Sequence, residues 1–78
     1  MTGRGEELKR VGERLRDLRR NAGETQAQTA TEVGISRQYL SEVEAGANPT
    51  VDLMYRLAEH FRVPPASLLD GFDATDRR

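Results

Sequence analysis

Four polar side chains in one short stretch, Arg37, Gln38, Ser41 and Glu42, have the types and spacing needed to read the edges of base pairs. On a helix they fall in pairs one turn apart, so they can share a face. A guanidinium can bond guanine bidentately, and a carboxamide can do the same with adenine. Glu42 has two readings: its carboxylate can accept from a cytosine amino group, or it can merely repel phosphate. Arg37 and Gln38 also have an ordinary alternative, as solvated residues on an exposed helix face. Other chemistry finds little support. His60, the only histidine, has no motif around it and is expected to be solvated near a helix end. Glu42 and Glu44 stand two apart and point to different faces of a helix, so they cannot act as paired carboxylates. Gly3 and Gly5 lack the flanking strand and helix of a phosphate-cradling loop. No suitable spacing of metal ligands occurs, and there is no cysteine. The expectation is no enzyme activity, no cofactor and no metal.

The elements that must position these residues follow from local signals. Thr25 with Gln28 three residues on is a capping-box pattern, which predicts a helix over about residues 26–33. Gly34 supplies the permissive backbone that ends that helix and turns sharply. Ser36 is a second N-cap, opening a helix from Arg37 to about Ala45 that stops at Gly46. Two helices joined by a short glycine-containing turn form a helix-turn-helix, whose second helix presents its N-terminal residues to the major groove. Gln26 and Ser36 each open a helix, where free backbone N–H groups and the helix dipole suit a phosphate. Thr25 and Ser36 read first as caps, and capping can coexist with a DNA contact. Tyr39 can lie in the core, or turn its hydroxyl toward a phosphate or a thymine methyl; a mixed use fits its amphipathic ring.

Around this unit, Leu8, Val11, Leu15, Leu18 and Ala22 step by three and four, predicting a first helix over about residues 7–22 with Gly23 as its stop. In the second helix Ala27, Ala30 and Val33 should face inward. Thr50 follows Pro49 and caps a fourth helix, about residues 51–61, with Leu53, Met54, Leu57, Ala58 and Phe61 inward. Pro64-Pro65 suits the start of a last short helix over about residues 65–69. The expected organisation is a flexible arm over 1–7, one domain over 8–72 that makes up the whole protein, and a flexible tail over 73–78. With 36% hydrophobic and 5% aromatic residues, the core must come from Leu, Val, Ala and Ile. No apolar run approaches the ~20 residues of a membrane span, and the N-terminus lacks the apolar region of a signal peptide, so a cytoplasmic location is expected.

Charge is unevenly spread over a chain whose net charge is −1. From Leu8 to Arg20, six cations (Lys9, Arg10, Arg14, Arg16, Arg19, Arg20) face Glu13 and Asp17, a balance of +4. From Glu24 to Gly46, four acids (Glu24, Glu32, Glu42, Glu44) face Arg37, a balance of −3. DNA affinity must then rest on a few well-placed contacts, and non-specific binding should be weak.

The residues Leu18-Arg19, Gly23, Thr25-Gln26, Ala30, Gly34-Ile35-Ser36, Leu40, Glu44 and Gly46 resemble the Xre/Cro-type family of phage and bacterial repressors. The match continues through Asn48-Pro49-Thr50 and Leu57-Ala58 to Val63 and Leu68, covering about Val11 to Phe72. The resemblance implies an all-α, five-helix, lambda-repressor-like DNA-binding domain with a central helix-turn-helix. It implies a bacterial or phage-encoded transcriptional regulator, a repressor or autoregulator, that blocks or recruits polymerase as a homodimer on a pseudo-palindromic operator. Stand-alone members include Cro-like repressors, controller proteins of restriction-modification systems and antitoxin-type regulators. By the same resemblance Gln26 and Asn48 contact DNA, while Arg19 and Glu44 pair to hold the recognition helix in place. Two departures stand out: Glu24 where Leu or Met is usual, and Thr29 where Leu is usual. Each would subtract ~1–3 kcal/mol of apolar burial at a fully buried site. Ala45 and Ala47 replace residues that are often Arg, Lys or Asn. Val63, Leu68, Leu69 and Phe72 offer an apolar dimer surface, although Leu68 fits equally well as the floor of the core. The rival reading is a protein-interaction module whose acidic face binds another protein.

Overall fold

The computed structural model describes residues 4–69, and these form four α-helices and one 3-10 turn, with no strand among them. The helices are α1 (Arg4–Asn21), α2 (Gln26–Val33), α3 (Arg37–Glu44) and α4 (Val51–Phe61), followed by the 3-10 turn Pro65–Leu69. The three inner N-termini are fixed by side-chain caps. Thr25 Oγ1 accepts from the Gln28 backbone N–H at 3.1 Å, and Gln28 Oε1 accepts from the Thr25 N–H at 2.8 Å. Ser36 Oγ accepts from Tyr39 N–H and Thr50 Oγ1 from Leu53 N–H, each at 3.0 Å. These bonds satisfy donors that the first turn of a helix would otherwise leave orphaned. Gly34, at φ 82°, ends α2 in the left-handed region and sends the chain into α3.

Three expectations are corrected. Residues 4–7, expected to be part of a flexible arm, are helical, because α1 starts at Arg4 with Glu6 and Glu7 in its first turn, where acids favour the helix dipole. The tail over 73–78 lies outside the described residues. The fifth helix is a 3-10 turn, in which Ser67 N–H bonds the Pro64 carbonyl at 2.9 Å. Five residues that open on proline, which has no N–H to donate, leave little for an α-helical ladder. Ala22 and Ala27 are exposed: Ala22 follows the end of α1, and the buried face of α2 is Thr29, Ala30 and Val33.

The core gathers Val11 and Leu15 of α1, Val33 of α2, Val43 of α3, Leu53, Leu57 and Ala58 of α4, and Leu68 of the 3-10 turn. Leu18, Ile35, Tyr39, Met54, Phe61 and Val63 pack against it with part of their surface exposed. Helix α3 lies on α1 and α2, while α4 closes the other side against α2 and the 3-10 turn. Gly12 makes the α1–α3 contact possible. A Cβ built there would meet the main-chain carbonyl oxygens of Val43 and Glu44, the former at 2.6 Å.

Candidate nucleic-acid interface

Helix α3 is held from behind and open in front. Leu40 and Val43 are buried beneath it, and Arg37, Gln38 and Glu42 are exposed on its outer side, with Ser41 half-buried beside them. Gln38 Nε2 donates to Glu42 Oε2 at 3.4 Å, a loose bond one helical turn long. Arg37 Nη1 donates to Gln26 Oε1 at 3.5 Å, so the start of α3 and the start of α2 lie side by side. Thr25 and Ser36 act as caps on those two helix starts. Tyr39 turns part of its ring onto the core and leaves the rest exposed. Asn48 is exposed, on the rim of a groove with Pro49 and Val51.

The rear of α3 is anchored by a charge cluster around Glu44, which is 2% exposed. Arg19 Nε donates to Glu44 Oε2 at 2.7 Å, and Arg19 Nη2 donates to Glu44 Oε1 at 3.0 Å. A third guanidinium donor, Arg19 Nη1, reaches the Glu24 carbonyl at 2.8 Å. Gln26 Nε2 also donates to Glu44 Oε1 at 3.0 Å. Burial pushes the Glu44 carboxyl up, but the bonds from Arg19 and Gln26, with the charges of Arg19 and Arg16, outweigh it and hold the group below the usual carboxylate range. The bond to Glu44 likewise raises Arg19. This pair fixes the end of α3 to α1. Through Gln26 the same carboxylate also touches the start of α2.

Sequence reasoning missed three features of this scaffold. His60, expected to be solvated, is part-buried, with Nε2 2.7 Å from Glu24 Oε1. Thr29 is fully buried and donates its hydroxyl to the same oxygen at 2.5 Å. The two residues that depart from the family are thus partners of one another, and bonds from Thr29 and then His60 hold the Glu24 carboxyl below its usual range. No local signal links Glu24 to His60, 36 positions away. Arg56 is the second feature: it donates to the Val33 carbonyl at 3.1 Å, pinning the last turn of α2 to α4. The third is Gly12, whose place on the apolar face of α1 was a readable sign of close helix approach.

Of the residues expected to form a dimer surface, Leu68 is fully buried in the core and takes no part in an outer face. Val63 packs against the core, Leu69 is exposed, and Phe72 lies outside the described residues. A different apolar surface is open. Val51 is 71% exposed and Tyr55 59%, beside a groove of ≈ 610 Å³ lined by Leu8, Val11, Met54, Tyr55, Pro65 and Leu69. Among the described residues no cluster of His, Cys, Asp and Glu could hold a metal ion, and no helix is long and apolar enough to cross a membrane.

The family profile described as "Helix-turn-helix" matches residues 15–68. An uncharacterized HTH-type transcriptional regulator, y4dJ, of Sinorhizobium fredii is 41% identical over 68 residues, which span 86% of this chain and 88% of the relative. A putative HTH-type transcriptional regulatory protein of Halorubrum lacusprofundi is 35% identical over 63 residues, and there the match spans 20% of the longer protein. Among solved structures, the restriction-modification controller protein C.AhdI of Aeromonas hydrophila superposes with a TM-score of 0.77 at 33% identity, covering 81% of this chain and 97% of that one. With the capped α2–turn–α3 unit, its buried Arg19–Glu44 anchor and a match across more than half of its length, this chain belongs to the helix-turn-helix family, of the Xre type.

Proposed function

We propose that the chain is a transcriptional regulator that binds duplex DNA, with α3 in the major groove and the start of α2 against the backbone. The observation that carries this reading is the two-sidedness of α3. Its rear is locked by Arg19–Glu44, and its front offers Arg37, Gln38 and Glu42 to solvent without an internal role in the core. In this reading Arg37 and Gln38 meet base edges and Ser41 and Glu42 follow one turn along. Thr25, Gln26, Ser36 and Asn48 line the backbone, and the Tyr39 hydroxyl reaches toward the same strand. Arg37→Ala and Gln38→Ala should each weaken binding to a site selected from a random DNA pool by about 1–3 kcal/mol per lost bidentate contact. Their melting midpoints should match the parent's, since both side chains are exposed. Equal binding by both variants and the parent would remove α3 as the reader.

The working unit in this proposal is a homodimer on a pseudo-palindromic operator, because one recognition helix with one cation is a small footprint for specific affinity. The surface that supports it is the open apolar face of Val51, Tyr55 and Leu69, and Leu68, buried in the core, is not part of it. Sedimentation at micromolar concentration should give a dimer that Leu69→Glu or Tyr55→Glu splits while helicity is retained. A parent that sediments as a monomer would end the dimer proposal. A second reading, a protein-interaction module, draws on the −3 balance between Glu24 and Gly46. A salt titration of binding to random duplex DNA separates the two, because a DNA binder loses that affinity log-linearly as salt rises.

A further inference from the structure

We propose that Arg16 is a DNA-backbone contact, a cation parked beside Glu44 in the free protein and passed to a phosphate when duplex docks. The proposal rests on the DNA-binding reading above and adds to it a residue that neither the motif nor the exposed face of α3 contains. Three observations carry it.

The first is that Glu44 does not need Arg16. Its two oxygens already accept three hydrogen bonds, two from Arg19 and one from Gln26, at 2.7–3.0 Å. Arg16 Nε stands 3.8 Å from Glu44 Oε1, inside ion-pair range but longer than a hydrogen bond. One buried carboxylate therefore has two guanidinium groups beside it and, of these, hydrogen-bonds only Arg19, so Arg16 is the surplus cation at that carboxylate. The second observation is accessibility: the Arg16 side chain is 39% exposed, against 10% for Arg19. Arg19 is the structural partner and Arg16 the one with room to move. The third is place. Arg16 and Gln26 converge on the same carboxylate oxygen, so the surplus cation lies at the start of α2, where the proposed interface meets the DNA backbone. Leaving Glu44 costs Arg16 no hydrogen bond, while a phosphate offers a guanidinium a bidentate one.

Arg14 supplies an internal control. It lies two residues away on α1, which turns it to a nearly opposite face. There its Nε donates to the Ser67 carbonyl at 3.2 Å, at the 3-10 turn rather than at the start of α2. Arg14→Gln and Arg16→Gln change net charge equally; Arg14→Gln also gives up the bond to Ser67, and the charge is lost on a different face.

The experiment measures affinity for the selected operator and for random duplex over a range of salt, with parent, Arg16→Gln, Arg16→Lys and Arg14→Gln. All are read well below their melting midpoints, so that folded protein is compared with folded protein. Arg16→Gln should bind both duplexes more weakly by a similar factor, with a slope of log K against log salt shallower by about 0.9, the loss of one phosphate contact. Arg16→Lys should keep the parent slope, and so should Arg14→Gln. A parental slope in Arg16→Gln overturns the proposal, as does an equal loss of slope in Arg14→Gln. A loss confined to the operator overturns it too, since that would make Arg16 a reader of bases. A parent that binds neither duplex is a different failure: it removes the DNA-binding reading itself, and this proposal with it.

Discussion

Arg19→Ala should unfold or nearly unfold the protein, with a loss of up to about 3–5 kcal/mol. The whole stability of a domain is about 5–15 kcal/mol, and a chain of 78 residues sits toward the low end of that range. The substitution removes three donors at once. Glu44 loses both of its guanidinium bonds and the Glu24 carbonyl loses one. What remains around Glu44, 2% exposed, is a bond from Gln26 and the more distant charge of Arg16. A buried carboxylate so poorly compensated either drags water in or forces the end of α3 away from α1. DNA binding would then fail for want of a fixed helix, with Arg37 and Gln38 untouched. Circular dichroism melting gives the measurement, and an unaltered curve would mean that the pair adds nothing. A useful companion is the double variant Arg19→Met with Glu44→Leu. Replacing a buried pair with apolar side chains of similar volume is often neutral, so that variant should recover much of the midpoint.

Gly12→Ala should be the second most damaging change, although on an ordinary helix it would help. Alanine in place of glycine within an exposed helix gains about 1 kcal/mol. At position 12 the added methyl meets the carbonyl oxygens of Val43 and Glu44, which are backbone and cannot rotate aside. Either α1 and α3 part or the end of α3 bends. Overpacking of this sort costs typically about 1–3 kcal/mol and here more than offsets the helix propensity. The displaced segment is the one that carries Glu44, so the Arg19 bonds should lengthen as well. Urea unfolding of Gly12→Ala, with Gly5→Ala as the control, checks the sign. A Cβ at Gly5 meets nothing within 4 Å, so that variant should be neutral or more stable. A stabilised Gly12→Ala would show that α1 and α3 are not in close contact.

What could be read from the sequence was what is decided within a few residues. The starts of α2, α3 and α4 each depend on a hydroxyl bonding an N–H three positions on, from Thr25, Ser36 and Thr50, and such signals are local. The sharp turn at Gly34 is local too. Helix α1 ran further toward the N-terminus than its apolar pattern, because its first turn is polar and is favoured by Glu6 and Glu7 rather than by burial. The site was legible in part for the same reason. Arg37 and Gln38 stand out once the start of α3 is known, whereas the Arg19–Glu44 contact, 25 positions apart, came through resemblance to a family and not through any local signal. The link of Glu24 to His60, 36 positions apart, had neither route open to it. Leu68 could not be assigned between core and surface because an apolar residue in a short terminal segment serves either, and only packing decides.

The polar cluster of Glu24, Thr29 and His60 also bears on how such a sequence can change. Leu at position 29, the usual family residue, would press an apolar chain against Glu24 and remove one of its two donors. Leu or Met at position 24 alone would strand the hydroxyl of Thr29, which has no solvent to turn to, and would leave His60 without its acceptor. Each single replacement sets a lost hydrogen bond against the apolar burial it gains, and coupling between touching residues is typically about 0.5–3 kcal/mol. Glu24→Leu and Thr29→Leu made together should therefore cost less than the sum of the two made singly. Positions 24, 29 and 60 behave as one unit in this chain, and a redesign that changes them one at a time would break that unit at whichever of the three it altered first.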